Sequence, residues 1–283
     1  MNQLREITRQ RDLTATVAEL TRAFEGISSM RISKIKDQVL HSQQFFGELW
    51  KIYTQLRVDE LFHFGRSQSV EKVIEKELLI LVTSEGSFSG DIDERLIVQA
   101  LKYYDPARND IVVIGHHGAV QLAQRGVTFV RNFKLPVRDM NINTDPLVSE
   151  VQKYASAVVF YPSYVSLMTQ RVKDIKLSAA VTERGKGVTA GEDVISEANY
   201  IFEPSTFSVV DHLERTMMQV ALSEVILESK LAQYASRFKA MNIARHKADD
   251  ALADLRSAYN RTVRNIKDER TKEIVNSLKK GEA

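Results

Sequence analysis

The sequence of 283 residues lacks cysteine altogether, which excludes disulfide bonds, thiol catalysis and metal sites ligated by cysteine. It also lacks any apolar run near the ~18 residues that a helix needs to cross a bilayer. Residues 1–12 are polar and already have helical spacing, unlike a secretory signal peptide. We therefore expect an intracellular protein, and its 43% hydrophobic content is enough for a folded core.

Proline and glycine are absent from the C-terminal stretch 205–280. Positions in an unbroken 4-3-4-3 spacing, most of them apolar, predict one very long helix with a coiled-coil seam. At 1.5 Å per residue such a helix would span roughly 110 Å, a length suited to transmitting force or bridging two bodies. The seam consists of Leu213, Met217, Val220, Glu224, Leu227, Leu231, Tyr234, Phe238, Met241, Arg245, Ala248, Leu252, Leu255, Tyr259, Thr262 and Ile266.

Proline is also absent from residues 1–57, where the only glycines are Gly26 and Gly47. Apolar residues recur there at helical spacing, and a helix with one apolar stripe must bury it. We expect the stripe to face the C-terminal helix in an antiparallel pair, although two separate amphipathic helices packed flat on a core would give the same pattern. The expected stripe consists of Leu13, Val17, Leu20, Phe24, Ile27, Phe46, Leu49, Tyr53 and Leu56.

Charge is distributed unevenly over the chain, whose net charge is +2. Residues 1–57 and residues 206–283 each carry +3, whereas the part between them carries −4. Basic helices on an acidic middle suggest an acidic partner around the helices, and ordinary solvated helix faces explain the same charges. Nucleic acid is not favoured as a partner, because no basic stripe is interleaved with exposed aromatic residues.

The middle of the chain alternates between strand and helix signals. Continuous apolar runs at 78–82, 111–114 and 157–160 predict strands that are buried on both faces. The alternation predicts a mainly parallel sheet with crossover helices. The expected helices lie at 92–104, 119–125 and 147–154.

The domain boundaries follow from these patterns. All five prolines lie between Pro106 and Pro204, and the glycine-containing stretch 172–200 is expected to form a hairpin or a mobile loop. We predict an N-terminal coiled-coil helix at 1–57, a connector at 58–76, an α/β domain at 77–204 and a C-terminal coiled-coil helix at 205–283.

Three segments of the middle could bind a ligand. Thr83–Gly90 follows the first strand, where a phosphate loop would lie, but it lacks the Gly-Lys-Ser/Thr ending and the Gly-x-Gly-x-x-Gly pattern. His116 and His117 could hold a metal or exchange protons, yet adjacent residues rarely point the same way and no third ligand is nearby. Lys186 could contact phosphate, although no serine or threonine follows it. A turn or loop is the favoured interpretation each time, and the sequence predicts no catalytic, metal or cofactor site.

Several short segments have a recognisable order and spacing. Leu20–Glu25 is similar to an Ile-Thr-Lys-Ala-Met-Glu segment, and Gly115–Gly118 to a Gly-x-Lys-Gly turn, of the gamma subunit of F-type ATP synthases. Thr83–Gly90 falls where that family has a Ser-Asp-Arg-Gly-Leu-Cys-Gly-Gly loop. The whole chain resembles that subunit. The most specific segments are Tyr200–Ser205, Ile226–Ser229, Ala235–Met241, Tyr259–Arg261 and Glu273–Ile274.

The resemblance implies a fold and a role. The terminal helices would pair as an antiparallel coiled coil beside a central Rossmann-like α/β domain. A single copy would form the central rotor shaft, which turns within a hexamer of alpha and beta subunits and contacts the epsilon subunit and the membrane ring of c subunits. ATP would be made or hydrolysed at the beta subunits, with ion flow through the ring. The chain would be a peripheral membrane protein on the cytoplasmic face of a bacterial membrane.

The resemblance also implies contact positions for the levers of the beta subunits. Arg22 and Phe24 match a lysine and a methionine of the family, and Arg237 matches an arginine. Arg264 and Asp268 fall in the upper shaft, where the family's polar residues are altered or shifted by one position. Two alternatives stay open: a passive adaptor or the shaft of a rotary ATPase not coupled to synthesis, and a nucleotide- or metabolite-binding α/β enzyme with helical extensions.

Overall fold

The computed structural model describes residues 2–55, 73–86, 88–137, 139, 142–177, 201 and 203–281. The chain divides into two compact units, one of residues 28–237 (the body unit) and one of residues 1–27 with 238–283 (the coil unit). The helices are α1 (Asn2–Gln55), α2 (Ile92–Tyr103), α3 (His116–Gln124), α4 (Asp145–Val151) and α5 (Thr206–Gly281). The strands are β1 (Ile74–Val82), β2 (Asn109–Ile114), β3 (Arg131–Phe133), β4 (Tyr154–Tyr164) and β5 (Gln170–Lys176).

The body unit is built on one five-stranded sheet in the order β3-β2-β1-β4-β5. Strands β1 to β4 pair in parallel, and β5 pairs antiparallel with β4. The predicted strands at 78–82, 111–114 and 157–160 form the buried centre of β1, β2 and β4, so the mainly parallel sheet is confirmed. The edge strands β3 and β5 were not predicted, because both are mostly exposed and have no continuous apolar run.

Helices cover both faces of the sheet. Alternate residues of β1, such as Leu79 and Leu81, pack with α2 and α3 on one face. Leu78, Ile80 and Val82 point to the other face, where α4 and the middle of α5 cover them. Strands with both faces covered must be apolar at every position, which explains the continuous runs in the sequence.

The middle of α5 is buried on nearly all sides within the body unit. The sheet covers one side of it through residues such as Met218 and Leu222, and α1 covers another through Phe46, which packs on Met217 and Ala221. A surface helix buries one stripe, whereas a helix enclosed by other elements buries its whole circumference. The enclosed stretch is Ala221, Leu222, Glu224, Val225, Ile226, Leu227, Ser229, Lys230, Leu231, Ala232, Gln233, Ala235 and Ser236.

The coil unit consists of the beginning of α1 and the end of α5. The Arg11 guanidinium lies 5.5 Å from the centre of the Tyr259 ring, and Arg245 Nε lies 2.9 Å from Glu25 Oε2. Asn242 Nδ2 also donates to Glu25 Oε1 at 2.9 Å. Arg11, near the start of α1, thus lies beside Tyr259, and Glu25, later in α1, lies beside the earlier Arg245 of α5. The two helices therefore run antiparallel.

The expected N-terminal stripe is wrong for the first part of α1. Leu13, Val17, Leu20 and Ile27 are all exposed, with Leu13 58% and Leu20 54% accessible. Small and polar side chains, Ala18 and Thr21, are buried instead. The apolar stripe is therefore on the exposed side of α1, and Ala18 and Thr21 are on its buried side. Farther along α1, Phe46 is buried and Leu49 and Tyr53 are half-buried as expected, while Leu56 lies outside the described residues.

Several predicted boundaries also differ from the structure. The helix expected at 147–154 ends at Val151, and Tyr154 already begins β4. Strand β1 begins at Ile74, and the predicted division of the chain into domains stays a prediction. Residues 172–176 of the stretch expected to form a hairpin or a mobile loop belong to β5, which pairs antiparallel with β4. Lys186 lies outside the described residues. Within the described ranges, no helix has the length and hydropathy of a membrane span.

Candidate functional site

The loop after β1 is fixed to the end of β2 by the buried side chain of Thr83. Its hydroxyl donates to the carbonyl oxygen of Ile114 at 2.8 Å and accepts the N–H of Gly118 at 3.1 Å. The Thr83 N–H donates to the same Ile114 carbonyl, also at 2.8 Å. Because the carboxyl ends of parallel strands meet at one sheet edge, this is the place where an α/β protein would bind a ligand.

Positions 115 and 118 must be glycine because Thr83 of that loop lies too close to both for a side chain to fit. Gly115 has a φ of 101°, and a Cβ there would lie 2.3 Å from the Thr83 carbonyl oxygen. A Cβ on Gly118 would lie 2.4 Å from Thr83 Oγ1. The turn predicted for Gly115–Gly118 is limited to Gly115, because α3 begins directly afterwards at His116.

The N–H groups that could bind a phosphate at the start of α3 already have partners. The His116 N–H donates to Glu85 Oε2 at 3.2 Å, and that oxygen also accepts the Leu135 N–H at 3.1 Å. The His117 N–H donates to the carbonyl oxygen of Ser84 at 3.0 Å. A helix N-terminus attracts anions, and here the carboxylate of Glu85 is the anion. The geometry argues against a nucleotide phosphate at this loop.

The buried carboxylate of Asp93 on α2 binds the loop and α3 together. Asp93 accepts the Ser84 N–H at 3.2 Å and the Ser84 hydroxyl, and its Oδ2 lies 2.7 Å from His117 Nδ1. Gln121 Nε2 lies 3.2 Å from the other ring nitrogen. The hydrogen bond to Asp93 raises the pKa of His117, against the lowering effect of burial. Serine and histidine both bond to the aspartate and not to each other, so the three residues do not form a nucleophilic triad.

The stability of the body unit should therefore depend on pH through His117. A histidine whose pKa is raised on folding contributes stability that is fully present below about pH 6.5 and is lost as the pH rises through the folded-state pKa. We expect His117→Gln to lower the free energy of unfolding more at pH 5.5 than at pH 8. Urea titrations at the two pH values measure this, with the exposed His116→Gln as control. An equal loss at both pH values would contradict the Asp93–His117 pairing.

The far side of the same loop contacts α5. Ser236 Oγ donates to the carbonyl oxygen of Ser89 at 2.6 Å, and Arg237 Nη2 lies 3.4 Å from Ser89 Oγ. The Arg237 guanidinium also lies 5.5 Å from the centre of the Tyr234 ring. Arg237, an expected partner contact, is thus half-buried beside the loop, where its Nη2 lies 3.6 Å from the place of a Cβ on Gly86.

A buried cluster of charges lies next to Arg237. Lys230 Nζ pairs with Asp139 and donates to the Pro136 carbonyl oxygen at 2.8 Å, and Arg31 Nη1 reaches Asp139 Oδ2 at 3.2 Å. The side chains of Asp139 and Lys230 are 0% and 2% exposed, whereas that of Arg31 is 41% exposed. Arg31, Lys230 and Arg237 line a cleft of about 300 Å³.

The remaining predicted contact residues lie in the coil unit. Arg22, Arg264 and Asp268 are exposed, and Phe24 is half-buried. All of the expected seam positions on α5 are buried or half-buried, with Leu227, Leu231 and Met241 buried. Leu13, Val17, Leu20 and Ile27 form an exposed apolar surface, the outer α1 stripe. The sequence predicted this stripe but placed it against the C-terminal helix, where it does not lie.

In the part of the chain that the structure describes, no three histidine, aspartate or glutamate residues are grouped to hold a metal ion. The two histidines at the start of α3 have different surroundings, since His117 turns to Asp93 and His116 is exposed. The residues of this edge therefore connect the sheet to its loops and to α5, and they do not converge on a common point in space.

Comparison with known proteins finds similar proteins that match nearly the whole chain. A family model described as ATP synthase matches residues 3–276. The ATP synthase gamma chain of Cytophaga hutchinsonii is 22% identical over 277 residues, which cover 93% of each chain. That of Leuconostoc citreum is 24% identical over 284 residues, covering 92% of this chain and 93% of the relative.

Solved structures with the same fold come from ATP synthases. A chain in a cryo-EM structure of the Euglena gracilis mitochondrial ATP synthase superposes with a TM-score of 0.67 at 13% identity, covering 98% of this chain and 94% of its own length. A chain from the central stalk and c-ring of the Tetrahymena thermophila enzyme gives a TM-score of 0.57 at 16% identity, covering 80% of this chain and 99% of its own.

Proposed function

The chain belongs to the ATP synthase family, as a gamma subunit of the central stalk, and on that premise we propose that it is the rotor shaft that couples ion flow to ATP synthesis or hydrolysis. Its partners are the alpha and beta subunits, the epsilon subunit and the c-ring, with one copy per complex. It lies at the cytoplasmic face of the membrane through that complex. The catalytic sites are on the beta subunits, and this chain transmits torque to them.

The arrangement of α5 supports a mechanical role. Its 76 residues form one helix that shares an antiparallel pairing with α1 and is enclosed in the middle by the sheet and α1. Two packed helices resist twisting and bending better than one, and an enclosed segment gives the body a firm hold on the helix. The alternative of an α/β enzyme is less well supported, since Glu85 fills the anion position at the loop where such an enzyme would hold phosphate.

The outer α1 stripe supports a role that goes beyond family membership. Contiguous exposed apolar side chains on a helix mark a surface that a partner covers. The stripe has the spacing of one helix face, and the proposed partner that covers it is the ring of alpha and beta subunits around the shaft. An apolar surface has no directional bonds to break, so it suits a shaft that turns within its partner.

Charged residues of the coil unit are the proposed contacts with the beta levers. Arg22, Arg264 and Asp268 are exposed and can meet a passing partner, together with half-buried Phe24. Exposed ion pairs contribute about 0–1 kcal/mol each, which is weak enough to form and break at every step of rotation. Arg237 already contacts Ser89 and Tyr234, so its proposed contact would be made from a side chain that is held in place.

The double substitution Val17→Glu with Leu20→Glu tests the stripe. Because both side chains are exposed, we expect the purified variant to keep the helicity and the melting temperature of the wild type. Burial of two carboxylates against an apolar partner should cost several kcal/mol, so we expect at least a 100-fold loss of affinity for alpha–beta hexamers. Copurification and titration with hexamers measure the loss.

Val98→Glu is the matched control, because Val98 is a similarly exposed valine on α2 of the body unit. It should leave assembly unchanged. A double variant that assembles and supports ATP-driven rotation like the wild type would overturn the stripe as a partner surface. Thermal stabilisation of the isolated wild-type chain by ATP would instead favour the enzyme alternative.

A further inference from the structure

We propose that Arg31, Asp139 and Lys230 form an ionic joint that fixes both shaft helices to the α/β body, with Lys230 and Asp139 as positioning residues for torque transmission. The three residues come from α1, from the segment between β3 and α4, and from α5. One carboxylate thus accepts from both helices at once. This inference rests on the proposed shaft role.

The location of the joint supports its proposed role in connecting the α/β body to α5. Lys230 lies within the enclosed stretch of α5, and its ammonium also donates to the Pro136 carbonyl oxygen at 2.8 Å. The segment from β3 therefore contacts the helix by its backbone and by a buried carboxylate. On the loop after β1, Ser89 makes a second connection to α5 through Ser236. Two separate loops of the sheet thus hold one stretch of α5 at adjacent turns.

The chemistry of the joint also differs from what stability alone would favour. Burying a lysine and an aspartate costs desolvation, and apolar residues of similar volume often stabilise a core as well or better. Apolar contacts, however, are non-directional and can slide past one another. Separating the buried Lys230 from Asp139 leaves its ammonium without a counter-charge, so displacement in any direction is opposed. A joint under alternating load needs that property.

The two buried charges are also protected from exchange with solvent. Lys230 is 2% exposed and Asp139 is 0% exposed, so salt and water compete weakly for the pair. Arg31 is 41% exposed and joins the same carboxylate from the α1 side. Loss of Arg31 should loosen one connection, whereas loss of Lys230 should loosen the connection between α5 and the segment and leave Asp139 with Arg31 alone.

The test uses the assembled complex with a probe attached to the α/β body. With rotation arrested, the angular variance of the probe reports the torsional stiffness between the body and the hexamer. We expect Lys230→Met to increase that variance at least twofold, while the ATP hydrolysis rate of the freely rotating complex stays within twofold of wild type. Arg31→Met should give a smaller increase, and it keeps the measurement possible if Lys230→Met does not fold.

Lys153→Met is the matched control. Lys153 Nζ lies 3.0 Å from the buried carboxylate of Glu150, and its side chain is 45% exposed, so Lys153→Met matches Arg31→Met; neither Lys153 nor Glu150 belongs to α1 or α5. Its variance should equal that of the wild type. If Lys230→Met and Arg31→Met also gave wild-type variance, with only a lower melting temperature, the cluster would be structural and the joint would be refuted. A wild-type chain that formed no ATP-driven rotor would instead remove the proposed function, and the joint with it.

Discussion

Gly115→Ala should destabilise the body unit by about 2–5 kcal/mol and lower the fraction of folded protein at 37 °C. The new Cβ would lie 2.3 Å from the backbone carbonyl oxygen of Thr83, where no side-chain movement can relieve the overlap. An L-residue at a φ of 101° adds roughly 1–2 kcal/mol of backbone strain, and overpacking typically costs about 1–3 kcal/mol. The fluorescence of Trp50, the single tryptophan, reports unfolding in urea because it packs against Phe46 and Tyr53.

Gly126→Ala separates the two causes. Gly126 also has a positive φ, 68°, but a Cβ there would meet no atom within 4 Å. Its expected cost is about 1–2 kcal/mol, from the backbone alone. Equal destabilisation by the two substitutions would show that the approach of Thr83 to Gly115 adds nothing, and would contradict the close contact between the ends of β1 and β2.

Leu252→Pro should have the second largest effect, at roughly 3 kcal/mol or more within the coil unit. Proline removes the N–H that bonds to the carbonyl of Ala248 one turn earlier, and its ring collides with that turn. Ala248 is buried and Leu252 half-buried on the seam, so a kink there also separates α5 from α1. Far-UV circular dichroism should show a loss of helix and an earlier thermal transition.

Leu252→Ala is the control at the same position. Alanine keeps the N–H and is the best helix former, so the helix should persist with only the loss of side-chain contact. The Trp50 signal should be unaffected by both variants, because that residue lies in the body unit. Full helicity and wild-type melting for the proline variant would disprove a continuous α5.

Sequence reasoning succeeded where burial follows a simple period. The central strands were predicted because β1, β2 and β4 are covered on both faces and so are apolar throughout. The long helix α5 was predicted because one spacing runs through Leu227, Met241 and Tyr259 without a break. A period that persists this long has few alternative explanations in a folded protein.

It failed on α1 because a period identifies a stripe and not the direction in which the stripe faces. Leu13 and Leu20 have the expected spacing, yet α5 lies against Ala18 and Thr21. The spacing of apolar residues in the sequence is the same whether the stripe is buried in the protein or exposed on its surface. The signal that could have shown the direction was the small and hydroxyl side chains of Ala18 and Thr21, which are buried on the other side of α1.

The charge cluster could not be found from the sequence for a different reason. Lys230 looks like an ordinary exposed lysine of a long helix, and its partner Asp139 is distant in the chain. Lys230 is buried because the sheet and α1 surround the middle of α5. That arrangement is visible only in the folded structure. Arg237 was named as a contact by resemblance, but its position beside Ser89 also required the structure.

The carboxylate of Glu85 at the start of α3 has a consequence for how the protein behaves in a living cell. Phosphate and nucleotide levels rise and fall with the energy supply, and an empty anion site would respond to them. Because the Glu85 carboxylate already accepts the His116 N–H, we expect the shape of that loop to be unchanged when phosphate and nucleotide levels vary. The loop after β1 should then have the same geometry in a starved cell as in a well-fed one.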